Sequence, residues 1–199
     1  IYMKDQVTGL QVELLYGVLP EYDVITRSAK VINTEEDKIR LTKAQAACID
    51  FLHGEFDVIS FYGRHAMERN MQRTSVGHGA FVIGSRRGTS SHQYNPMLIL
   101  AEKETTEDAG TCYGMSFVYS GGFKAEVEKD QFGQTRMQMG LQEEQFSYPL
   151  KKGEEFVIPE VILTCSNQGL EKLSQNLQRC IRKNLCRGKY KEKVRPVLI

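Results

Sequence analysis

"FKAEVEKDQFGQTRMQMGL", residues 123–141, decides the fold class. Two segments alternate apolar and polar residues around "DQFGQ", where Gly133 supplies the permissive backbone that a tight reversal needs. A period of two with a reversal in its middle is an antiparallel hairpin. Strand-like runs lie upstream of it: "VELLYGV", "YDVITRSAKVI", "DVISFY", "GAFVIG", "PMLIL" and "YGMSFVYS" are rich in Val, Ile, Tyr and Phe and are bounded by turn chemistry. The charged cluster Asn33 to Asp37 cannot enter a core and reads as a solvated loop. Downstream, "LKKGEEFVIPEVILTCS" gives a turn at Gly153 and then an apolar strand in which Pro159 demands an edge or a bulge. So many short strands need a second sheet to cover them. The expected fold is mainly β, an antiparallel β-sandwich over residues 1–166.

One segment departs from the period of two. Leu170, Leu173, Leu177, Cys180, Ile181 and Leu185 recur at helical spacing and predict a helix from Gly169 to Arg187, within a segment bounded as 167–188. Ser166 or Asn167 is the expected cap, Glu171 lies in the first turn, and Arg182, Lys183 and Arg187 crowd the end before Gly188. Residues 189–199 read as a connector followed by "RPVLI", an apolar strand that needs sheet neighbours on both sides. On that ground the chain reads as an excerpt from a longer protein.

The composition removes several function classes. In 199 residues, 26 Lys and Arg balance 25 Asp and Glu and are spread along the chain, so there is no field to gather nucleic acid or an anionic membrane. The longest apolar runs fall far short of the roughly 20 residues of a membrane helix. Five cysteines, at 48, 112, 165, 180 and 186, show no CxxC and no metal-ligand spacing, which predicts free thiols, a reducing cytoplasmic setting and no metal. No secretory signal pattern is visible. Met67, Met71, Met137 and Met139 read as core filling.

Three sets of residues are candidates for chemistry. "GSRRGTSSHQYNP", residues 84–96, packs polar donors between a strand and a proline. Ser90, Ser91 and His92 are adjacent in sequence rather than opposed, and G-x-S-x-G is absent, so nucleophilic catalysis is disfavoured against a loop whose side chains bond backbone or a domain interface. Arg86 and Arg87 are also suited to a carboxylate or sugar hydroxyls. "YGRHAMERNMQR", residues 62–73, fits a helix with a solvated face or an irregular arm, and His65 with Glu68 is not HExxH. Asp50, Asp57, Asp130 and Glu160 border apolar strands, yet nothing in the sequence pairs them for glycoside chemistry.

The blocks "GSRRGTSSHQYNP", "VYSGGFKAEVEKDQFGQTRMQMG", "YPLKKGEEFVIPEVILTCSNQGL" and "RPVLI", in that order, resemble the N-terminal β-domain of bacterial α-galactosidases of glycoside hydrolase family 36. The resemblance runs from about "YDVITRSAKVIN" onward. It implies a β-supersandwich, a linking helix, and a (β/α)8 catalytic barrel whose first strand would open with "RPVLI", with further strands of the sandwich ahead of Ile1. The implied chemistry is retaining hydrolysis of terminal α-galactosides such as melibiose and raffinose by two barrel aspartates, and neither aspartate's motif occurs here. No catalytic residue and no cofactor is therefore expected in this chain. Arg86, Arg87, Gly88, Ser90, Ser91, His92, Asn95 and Pro96 match the family block, and the resemblance implies a place for them near the sandwich–barrel junction or a neighbouring subunit. The implied partners are the chain's own barrel, galactosides for the parent enzyme, and further copies in a homo-oligomer, up to a tetramer. The rival reading is an independent carbohydrate-binding or protein-interaction module, with Tyr119, Phe123 and Phe132 as its platform residues.

Overall fold

A computed structural model describes residues 1–188. Fourteen strands are laid down before the only α-helix of the described residues, in the order β1 (Tyr2–Lys4), β2 (Leu10–Leu19), β3 (Val24–Asn33), β4 (Ile39–Leu41), β5 (Gln45–Phe51), β6 (Phe56–Arg64), β7 (Met67–Ser75), β8 (Gly79–Gly84), β9 (Tyr94–Glu102), β10 (Cys112–Phe117), β11 (Phe123–Lys129), β12 (Thr135–Leu141), β13 (Tyr148–Leu150) and β14 (Glu155–Ser166). The helix α1 spans Gly169–Cys180. Every strand pairing is antiparallel. One sheet has eight strands in the order β1-β2-β3-β14-β10-β9-β6-β7, a second has four in the order β5-β12-β11-β8, and β13 with β4 forms a small ribbon.

Alternation explains how two layers share one chain. In β11 and β12, Phe123, Ala125, Val127, Met137, Met139 and Leu141 turn to the core between the sheets, and Lys124, Glu126 and Glu128 turn out. In β9 the apolar run serves two cores: Leu98 and Leu100 enter the sandwich while Ile99 and Ala101 point to the opposite face. That second face is covered by α1 through Leu170, Leu173, Leu177 and Cys180, packed on Val24, Ile59, Cys112 and Ile162. Each such side chain contributes about 1.5–3 kcal/mol when fully buried. Gly114 on β10 makes room for this layer, since a Cβ there would lie 3.1 Å from Leu173.

Pro159 sits in β14, an interior strand, and the register with β3 shifts between Ile158 and Val161, so the bulge expected of a strand proline is present. The helix starts at Gly169 as expected but differs in its capping and at its C-terminal end. Neither Ser166 nor Asn167 caps it; the Ser166 hydroxyl accepts from the Gln168 amide, and the first helical amides of Gly169, Leu170 and Glu171 donate to the carbonyls of Gly110, Thr106 and Glu107. At the other end the last turn widens into a π-helical stretch, Ile181–Leu185. The expected strand "RPVLI" lies outside the described residues.

Candidate functional site

The segment Gly84–Pro96 carries the chain from the small sheet to the large one. It leaves the end of β8 and enters β9 through a bridge between Ser91 and Tyr94. Gly88, at φ 76°, allows the reversal, and the Ser85 hydroxyl closes it by donating to the Thr89 carbonyl at 2.6 Å. The Thr89 hydroxyl and the Ser90 amide both donate to the Ser120 carbonyl, at 3.1 and 2.8 Å, and the Ser90 hydroxyl points the same way. The hydroxyls of Ser85, Thr89 and Ser90 are thus spent on the loop's own shape. What remains outward is Arg86, Arg87, Ser91 and His92, all exposed.

Those outward groups border two adjoining hollows. One, of about 700 Å³, is lined by Arg86, Arg87, Tyr94, Lys124, Gln142 and Glu143. The other, of about 570 Å³, is lined by Arg64, His65, Glu68, Arg87 and His92. Arg87, Ser91 and Gln93 belong to both, so the two are one groove along the loop. The charges around Arg86 and Lys124 are paired. Arg86 Nε lies 2.5 Å from Glu144, and Lys124 Nζ lies 2.7 and 2.5 Å from Glu126 and Glu143. The hydrogen bonds to Glu126 and Glu143 push the Lys124 ammonium up, and Lys124 in turn holds the Glu143 carboxyl below the usual range. Both groups are locked into their charged forms, which suits binding polar ligands or a facing protein surface and is the reverse of what general acid–base chemistry requires.

Of the sequence candidates, Arg86, Arg87, Ser91 and His92 line the groove, Arg86 paired there with Glu144. Ser90 turns inward, and Asn95 is half-buried in β9. Ser90 and His92 do not form a nucleophile–base pair, because the Ser90 hydroxyl is engaged by Ser120. The stretch 62–73 is neither helix nor irregular arm. It is the β6–β7 hairpin, with Ala66 and Arg69 in the left-handed region, and its Met67 and Met71 are about half exposed rather than core filling, unlike Met137 and Met139. Strand β6 sets Tyr62 beside Tyr94 in register, two partly exposed residues that sequence reading did not bring together, and of the two Tyr94 lines the groove. The platform candidates separate too, since Phe123 is fully buried while Phe132 stands exposed at the tip of the β11–β12 turn.

The carboxylates serve structure. Asp50 receives a bidentate Arg136, Asp130 accepts the amides of Phe132 and Gln134, and Asp57 accepts from Arg73, Lys103 and Ser75. Among the described residues no three His, Cys, Asp or Glu gather as a metal site.

The sequence profile of the glycosyl hydrolase family 36 N-terminal domain matches residues 1–151. The chain belongs to this family. Over all 199 residues it is 61% identical to the bifunctional α-galactosidase/sucrose kinase AgaSK of Mediterraneibacter gnavus and 41% identical to the α-galactosidase Mel36A of Lactobacillus acidophilus. This chain spans 21% and 27% of the lengths of those two relatives. Its fold superposes on the galactosidase domain of AgaSK with a TM-score of 0.95, covering 98% of this chain and 27% of that one. On the family 36 α-galactosidase AgaA of Geobacillus stearothermophilus, in complex with stachyose, the TM-score is 0.96 at 39% identity, again covering 98% and 27%.

Proposed function

We propose that this chain is the non-catalytic N-terminal domain of a cytoplasmic α-galactosidase that removes terminal α-galactosyl residues from melibiose- and raffinose-type oligosaccharides with retention. The observation that carries the reading is identity along the whole chain, at 61% and 41%, to two α-galactosidases far longer than it. In this reading residues 1–166 are the sandwich, 167–188 the linker helix, and 189–199 the connector into a catalytic barrel. The sandwich is a scaffold. It presents the groove around Arg86, Arg87, Ser90, Ser91, His92 and Asn95 to the barrel mouth or to a neighbouring copy in a homo-oligomer. Two features support this role over catalysis by the chain itself, namely the paired charges of the groove and the engagement of the serine hydroxyls in the loop's own turns.

A carbohydrate-binding module is the second reading, favoured by the exposed Tyr62–Tyr94 pair beside amides and arginines. Hydrolysis of a chromogenic α-galactoside separates the two. The natural full-length polypeptide should turn it over and the 199-residue chain should not, with no binding of raffinose to the chain alone in titration calorimetry. Raffinose binding by the chain would favour the module, and a full-length polypeptide without activity would overturn the enzyme reading. Within the active enzyme, Arg86→Ala or His92→Ala is expected to change kinetics or assembly, and unchanged values for both would remove the groove from function.

A further inference from the structure

The two halves of the groove differ in their electrostatics. Around Arg86 and Lys124 each cation has its carboxylate, Glu144 for the first and Glu126 with Glu143 for the second. The half beside the β6–β7 turn is built differently. Arg64 and His65 line it from the turn, Arg87 and His92 line it from the loop, and all four are exposed. Among the described residues none of the four takes part in an ion pair. Glu68, the acid of this hollow, is already engaged, because its Oε1 accepts the Ala66 amide at 3.0 Å.

Hydrogen-bond donors are in excess here as well. Arg64 gives one N–H to the Met67 sulfur at 3.3 Å and keeps the rest of its five. Among the described residues the Arg87 guanidinium has no partner; only its backbone amide is engaged, by the Ser85 hydroxyl at 3.4 Å. The Ser91 hydroxyl accepts from the Gln93 amide at 3.2 Å, which leaves its own proton to donate. Both walls are held in place. The turn contains Ala66 and Arg69, two of the four non-glycine residues with left-handed backbones among the described residues, and a Cβ on Gly63 would lie 2.4 Å from the Met67 carbonyl oxygen. The facing loop is tied to the Ser120 carbonyl. A strained turn fixed opposite an anchored loop is a common way to hold a ligand clamp.

We propose that this hollow binds a phosphate group, either the free ion or the phosphate of a small phosphorylated sugar or polyol. Arg64 and Arg87 hold its oxygens from the two walls, Ser91 adds its hydroxyl, and the imidazoles of His65 and His92 add ring N–H groups. Two guanidinium forks with these further donors exceed what the two oxygens of a carboxylate accept, and they suit a tetrahedral dianion. At about 570 Å³ the hollow also has room for a small group attached to the phosphate. A nucleic acid is the wrong size of partner, since the chain carries a net charge of only +1 and the attraction is confined to this one place. The site is made of this chain's own residues, so it goes beyond the proposed enzyme reading and does not rest on it.

Titration calorimetry of the natural full-length polypeptide, in a zwitterionic buffer with chloride as the only other anion, tests the site with inorganic phosphate and, separately, with glucose 6-phosphate. One saturable site per chain is expected, with a dissociation constant of about 1 mM or tighter. Arg87→Gln and Arg64→Gln should each weaken it about tenfold or more, because each removes charged hydrogen bonds. Arg86→Gln, at the neighbouring arginine already paired with Glu144, should weaken it less than about twofold. All three positions are exposed, and a thermal melt of each variant confirms folding. Tighter binding of glucose 6-phosphate than of phosphate assigns the site to an ester, and equal or weaker binding assigns it to the free ion. Absence of saturable binding by either probe overturns the proposal, as does an equal loss in all three variants, which reports overall charge alone. Binding that appears only on dilution, together with a fall in hydrodynamic mass, places a neighbouring copy in the hollow and overturns it too.

Discussion

Gly169→Ala and Gly133→Ala should differ several-fold in cost, although both glycines have left-handed backbones, at φ 77° and 82°. At Gly133, in the β11–β12 turn, an added Cβ meets nothing within 4 Å, so the cost is that of alanine in the left-handed region, about 1 kcal/mol. At Gly169 the same Cβ would lie 2.4 Å from the Glu107 carbonyl oxygen and 2.6 Å from the Ala109 amide nitrogen. These are backbone atoms, so relief requires the loop before β10 to withdraw from α1. Withdrawal breaks the bonds from Gly169, Leu170 and Glu171 to Gly110, Thr106 and Glu107, at 3.0, 3.1 and 2.8 Å. At about 1 kcal/mol each, these add about 3 kcal/mol to the conformational cost, for a total near 4 kcal/mol. Equilibrium urea unfolding of the 199-residue chain measures both variants, and hydrogen exchange across residues 102–110 should accelerate in Gly169→Ala alone. Equal costs for the two variants would refute the claim that this loop caps the helix.

Three further outcomes follow from the packing and charges. Leu173→Ala, at a side chain with no exposed surface between α1 and the sheet, should lose about 2–5 kcal/mol in the same unfolding assay. Burial raises the Asp57 carboxyl, but hydrogen bonds from Lys103, Arg73 and Ser75 outweigh it and hold the group below the ordinary Asp value. Its contribution is therefore full above about pH 4 and is lost as pH falls through the lower folded value, so Asp57→Asn should flatten the acid limb of stability against pH and cost about 1.5–3 kcal/mol at pH 7. Cys112 is buried and its thiol is pushed up to about 11, chiefly by that burial, so iodoacetamide at pH 8 should alkylate Cys165 and Cys186 while Cys112 and Cys180 stay unmodified, as read by intact mass and peptide mapping.

What was legible in the sequence was what repeats locally. The alternation from Phe123 to Leu141 and the leucine stripe of α1 each report a face, and each face found the layer it required. The hairpin from Tyr62 to Arg73 was misread because β7 carries almost no β-branched apolar residues; it is a strand through its register with β6, a tertiary fact. The helix starts at Gly169 as expected, and only its cap differs, for a related reason. A capping side chain can be read from adjacent residues, whereas here the acceptors are carbonyls of a loop about sixty residues upstream. The groove behaves in the same way. Its residue types were visible in "GSRRGTSSHQYNP", but the partition into inward ties to Ser120 and outward groups facing Lys124 and Glu143 depends on which strands become neighbours.

That partition argues for the kind of work the loop does. A catalytic loop leaves its nucleophile free, keeps a base within reach of it, and sets their proton affinities near the working pH. In this loop the hydroxyls of Ser85, Thr89 and Ser90 are engaged by carbonyls, and the charges nearest the groove fix one another in their ionised states. Such a surface holds its shape regardless of what approaches it, and offers guanidinium, amide and imidazole groups from a rigid frame. Rigid presentation of polar groups is what a domain interface or the rim of another domain's site demands, because a preformed surface loses little entropy on docking.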